Sequence, residues 1–144
     1  MVTLYTYFSL LSDECHGLID LSSNVKCLLV DTTFVLDRIN HSRLSDIQGE
    51  VAGTGYTEGG NDVTVTFTPL VEEYLQPKVI ELRIAFQPVF FNISTFETKG
   101  AIYYINKDSR FDSILLAYLD FGNTLSFYGN NLEIQEQVLT KTIL

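Results

Sequence analysis

Apolar and polar positions alternate with a period of two through much of this chain, and that alternation predicts strands with one face on a core and one face in water. Val63-Thr64-Val65-Thr66-Phe67-Thr68 shows it most strictly, and Pro69 argues against a central place for that end because proline cannot donate to a sheet ladder. Val25 to Val30 is different: a short, partly β-branched apolar run between Ser22-Ser23-Asn24 and Asp31, which predicts a central strand buried on both faces. Further strands are expected at Val79–Phe86, Lys99–Ile105, Ile114–Phe121 and Val138–Ile143, separated by turn signals at Asn106-Lys107-Asp108-Ser109, Gly122-Asn123 and Gly129-Asn130-Asn131. At the start, Leu4, Tyr7, Phe8 and Leu11 fall at helical spacing, so a short helix is predicted there, with a strand as the alternative because Leu4-Tyr5-Thr6-Tyr7-Phe8 is rich in aromatic residues. The polar stretch Leu36–Ile47 predicts an irregular helical turn on the surface.

So many strands with so little helix favour two packed antiparallel sheets, since each half-apolar sheet must bury its inner face. The predicted fold is therefore mostly all-β, an antiparallel β-sandwich of which a jelly roll is one form, with a short N-terminal helix or strand. The length of 144 residues suits one domain over residues 1–144, and no repeat or low-complexity segment divides it.

The formal net charge of −9, with nine Lys and Arg scattered along the chain, argues against nucleic acid as a partner. No apolar run is long enough to span a bilayer and the N-terminus lacks the pattern of a signal peptide, so a soluble product made in a cytoplasm is expected, with no membrane partner. Cys15 and Cys27 allow at most one bridge, and both are expected to be reduced, with Cys27 a buried thiol inside its apolar run.

Catalytic and ligand motifs fail in detail. Gly53-Thr54-Gly55-Tyr56-Thr57-Glu58-Gly59-Gly60 invites a phosphate-loop reading, yet Glu58 stands where a dinucleotide fingerprint needs glycine, and Asn61-Asp62 follow where a Walker loop needs Lys and a hydroxyl residue. Asp120-Phe121-Gly122 spells a kinase triplet without the rest of the kinase set and reads as a strand end. His16 and His41 have no metal-ligand spacing with the cysteines, and the neighbouring acids Glu72 and Glu73 would point to opposite faces of a strand. No enzyme, cofactor or metal is expected.

Four segments in order, Leu18–Asp31, Gly49–Gly60, Gly100–Ile105 and Leu115–Gly122, resemble a recurrent family of small virion proteins of tailed phages. In that family an apolar strand leads to a "GEVSGTGYTAGG"-like loop, an "AVIY"-like strand and an "IAYIDFG"-like strand. The chain departs from the pattern in lacking a tryptophan before the Tyr strand, where Phe91 or Phe96 stands in, and in its longer C-terminal segment Asn130–Leu144.

The resemblance implies a non-enzymatic virion protein, first of all a capsid decoration (cement) protein that bridges major capsid subunits, and a homo-oligomer. A tail, neck or baseplate component is the alternative within that class. A receptor- or carbohydrate-binding module is the alternative of another class. The contact element expected is the loop Gly53, Thr54, Gly55, Tyr56, Thr57, Glu58, Gly59 and Gly60, with Tyr56 either an anchor for the partner or a ring folded over its own turn.

Overall fold

A computed structural model describes residues 2–7, 24–72 and 79–143. Among these residues the strands are, in chain order, β1 (Thr3–Thr6), β2 (Val25–Val30), β3 (Asn61–Val63), β4 (Val65–Glu72), β5 (Val79–Phe86), β6 (Val89–Ile105), β7 (Ile114–Ile134) and β8 (Gln137–Ile143), with a 3-10 turn at Leu44–Asp46. They form a five-stranded sheet in the order β1-β7-β6-β2-β3 and a three-stranded sheet in the order β4-β5-β8, antiparallel throughout. The fold is the all-β sandwich that the alternation predicts, divided unequally between its sheets. Pro69 lies on β4, an edge strand, where its missing N–H costs no ladder bond.

Between the sheets, Ile84 and Phe86 of β5 join Val25, Cys27 and Leu29 of β2 and Ala101, Tyr103 and Ile105 of β6 in one core, and the Phe86 and Tyr103 rings stack at 4.4 Å. Cys27 is fully buried there, and burial pushes its thiol pKa well above the usual range. Cys15 and His16 lie outside the described residues.

β2 has buried side chains on both faces, so the large sheet needs cover on its outer side as well. Leu28, Val30, Ile102, Tyr104, Leu115 and Tyr118 point that way, and Phe34, Leu44 and Ile47 pack over them. The segment expected on the surface around Leu36–Ile47 is thus a third layer: Leu44 and Ile47 are buried while Ile39 stays 77% exposed, and its helical content is the one 3-10 turn. Asp46 holds that turn, its carboxylate accepting from the N–H groups of Ser42 at 2.9 Å and Arg43 at 3.0 Å. These two bonds keep the Asp46 pKa below the ordinary carboxylate value.

Of the two forms open at the start of the chain, residues 3–6 take the strand: Leu4 leans on the inner core and Tyr5 on the outer cluster, the alternation of a strand hydrogen-bonded to β7, while Phe8 and Leu11 lie outside the described residues. The expected turns and strand end further on need correction. Gly122-Asn123 and Gly129-Asn130-Asn131 do not reverse the chain, because β7 runs on to Ile134 beside β6. Their glycines, at φ +83° and +72°, sit in bulges: Phe121–Thr124 bow out opposite Lys99, and Gly129 is the extra residue between Tyr128 and Asn130. Asp120-Phe121-Gly122 is therefore a strand interior, where the Gly122 N–H donates to Asp120 Oδ1 at 2.8 Å. Glu72 ends β4, and Glu73 lies outside the described residues.

Candidate functional site

The glycine-rich loop leaves and rejoins the same strand edge. Glu50 bridges Val30 of β2 and Asn61 pairs with Cys27, so residues 51–60 make an excursion whose two ends lie close together on β2. Two turns shape it, the Tyr56 N–H donating to Gly53 O at 3.3 Å and the Gly60 N–H to Thr57 O at 2.9 Å. Each has a glycine of positive φ at its third position, Gly55 at +85° and Gly59 at +91°. Thr54 ties the tip to β6, its carbonyl accepting from the Thr95 N–H at 2.8 Å. At Gly60 a Cβ would stand 1.9 Å from the Cys27 carbonyl oxygen, so the loop can close on β2 only with glycine there.

Glu50 is the hub. Its Oε2 accepts from the Tyr56 hydroxyl at 2.5 Å and from the Gly59 N–H at 2.6 Å, and its Oε1 lies 3.5 Å from Arg110. The Tyr56 hydroxyl in turn accepts from the Leu29 N–H at 3.2 Å, and the Tyr104 hydroxyl donates to the Gly59 carbonyl at 2.5 Å. Burial pushes the Tyr56 pKa far above the phenol value, with the Glu50 hydrogen bond and charge adding to it. Burial, then the charge of Glu50, pushes Tyr104 up to about 12. Both hydroxyls therefore remain protonated donors over the physiological range.

Within the glycine-rich loop the Gly59 N–H is directed onto the chain's own carboxylate, that of Glu50. Glu50, Tyr104 and Arg110 had no role in the sequence reading. The available signal was an acid set directly before a loop rich in backbone N–H groups. Of the residues expected at the contact, Gly53, Thr54, Gly55, Thr57 and Glu58 are exposed, Gly59 is half-buried and Gly60 buried. Tyr56 is half-buried, its ring 5.9 Å from Phe91 and 6.1 Å from Phe96 of β6. Phe91 and Phe96, offered as stand-ins for a tryptophan, line that socket together.

A shallow depression beside the loop is lined by Glu50, Val51, Ala52, Gly53, Tyr56 and Glu58. Among the described residues no three His, Cys, Asp or Glu side chains are grouped as a metal would require, and no helix is long and apolar enough to cross a membrane. Comparison with protein-family models, curated proteins and solved structures gives no match to the chain.

Proposed function

We propose that the chain is a non-enzymatic structural component of a tailed-phage virion, a capsid decoration protein whose glycine-rich loop docks onto major capsid subunits. The observation behind this reading is the internal bracing of the loop. Glu50, Tyr56, Tyr104 and Arg110 hydrogen-bond or pair with one another and with the backbone beneath the loop, while Thr54, Gly55, Thr57 and Glu58 form an exposed outward rim. A rim shaped before contact loses little conformational entropy on docking, which suits a protein that binds through many modest copies. A carbohydrate-binding module needs an open aromatic plate, and the aromatic in the depression, Tyr56, is already engaged with Phe91 and Phe96.

The test is cosedimentation of the purified protein with decoration-free heads and, separately, with tails. Wild-type protein binds heads, whereas Thr57→Arg and Glu58→Arg, both at exposed positions, keep the fold and lower occupancy by about tenfold or more. Binding to tails alone moves the protein to the tail, neck or baseplate. Binding to neither, with retention on a glycan array, replaces the virion reading by a receptor-binding one.

A further inference from the structure

Away from the third layer, the long β6–β7 pair presents exposed side chains on the outer face of the large sheet. Phe91, Phe96, Phe127 and Leu132 turn to the inner core, so the residues that alternate with them point the other way. On that outer face Thr95 pairs with Tyr128, Glu97 with Ser126 and Phe90 with Glu133. All six are exposed, the rings of Phe90 and Tyr128 at 54% and 77%. Thr54, at the tip of the glycine-rich loop, bridges Thr95, so the row Thr54, Thr95, Tyr128 makes this face continuous with the exposed loop rim.

We propose that this face docks a basic, arginine-bearing surface of a protein partner. Each exposed ring has a carboxylate for a neighbour. Phe90 stands directly opposite Glu133, and Glu97 lies diagonally across from Tyr128, a separation of about 7–8 Å, while Glu58 adds a third acid on the rim. No Lys or Arg occurs in residues 51–60, 89–98 or 122–134. The chain's own cations reach rings elsewhere, Arg38 over Tyr5 at 5.6 Å and Lys99 over Phe34 at 5.9 Å.

A ring beside a carboxylate is the complement of a guanidinium, whose plane stacks on the ring while its N–H fork pairs with the acid. A lysine ammonium, compact and strongly hydrated, satisfies the acid but stacks less well. An apolar partner would bury Glu97 and Glu133 without a counter-charge, and a nucleic acid would meet like charge. The net charge of −9 steers a basic surface toward the chain from a distance. The contact extends the one assigned to the loop and rests on that reading for the partner's identity, though not for its chemistry.

Two measurements on the whole chain separate these. In cosedimentation with decoration-free heads, Tyr128→Thr and Glu97→Lys, both at exposed strand positions, lower occupancy by about tenfold. Phe111→Ser, which removes a ring 76% exposed in the turn after β6, leaves occupancy unchanged. Heads bound equally by the wild type and both arm variants, or lost equally with Phe111→Ser, overturn the proposal and leave the loop reading standing. In a nuclear magnetic resonance titration with hexa-arginine, amide shifts centre on Thr95, Glu97, Tyr128 and Glu133. Hexalysine binds several-fold more weakly, and Tyr128→Thr abolishes that preference. This result upholds the face even where the protein binds no heads and the loop reading fails. Shifts spread over the whole acidic surface, or equal affinity for the two peptides, overturn it.

Discussion

The carboxylate of Glu50 sits with its side chain 14% exposed and accepts two hydrogen bonds on one oxygen while facing Arg110 with the other. Its removal would leave the Gly59 N–H and the Tyr56 hydroxyl without an acceptor inside the protein, and an unsatisfied buried donor costs more than a satisfied one contributes. Glu50→Ala is therefore expected to lower unfolding stability by about 3 kcal/mol, read as a shift of the urea midpoint at constant slope. Glu50→Gln keeps one carbonyl acceptor and should lose about half as much. Equal losses in the two variants would mean that charge against Arg110, and not acceptor geometry, holds the loop. The distinction matters for function, because a loosened loop offers its rim in many shapes where the braced one offers a single shape.

At the scale of elements, the outer layer from Asp31 to Glu50 has almost no regular structure, so its attachment rests on a few side chains. Phe34 is 1% exposed between Tyr118, at 5.0 Å between ring centroids, and the rest of the outer cluster, and Phe34→Ala should cost about 3–5 kcal/mol. Hydrogen exchange should show the loss first in the amides of Ser42 to Ile47. An unchanged exchange pattern there would show that the layer is held from elsewhere. This element also marks where the sequence stopped being legible. The strands β2 and β5 were readable to the residue, because an apolar run or an alternating one between turn residues admits little else. The outer layer was taken for surface because Leu36, Ile39, Leu44 and Ile47 are spaced among polar residues, and only the double-sided burial of β2 explains why two of them are buried. The long β6–β7 pair was cut short because glycine followed by asparagine signals a turn and a bulge alike, and local sequence does not distinguish a chain that reverses from one that bows out and continues. In the loop, the glycines were legible and Glu50 was not: two of its partners, Tyr56 and the Gly59 N–H, reach it only once the loop has folded back on itself, and the third, Arg110, comes from the turn after β6.

Across the whole molecule, tyrosine hydroxyls are distributed through both cores, and this sets how the fold responds to alkali. Tyr103 lies between the sheets, Tyr7, Tyr104 and Tyr118 lie in the outer cluster, and Tyr56 packs at the loop. Burial is the first cause in each case, pushing Tyr104 and Tyr118 up to about 12 and Tyr7, Tyr56 and Tyr103 higher still. A phenol whose folded pKa is raised binds its proton more tightly in the folded chain than in the unfolded one. The associated stability is fully present below the unfolded value of about 10 and is lost progressively as pH rises toward and through the folded values. Because these rings are shared by both faces of one sheet, ionising them requires opening both cores, so the loss should be cooperative. Phenolate absorbance and far-ultraviolet circular dichroism followed together from pH 9 to 13 should show a delayed, steep rise in the first that coincides with the loss of sheet signal in the second. If the buried tyrosines titrate near pH 10 while the sheet signal persists, the hydroxyls are in contact with water and the two cores do not behave as one body.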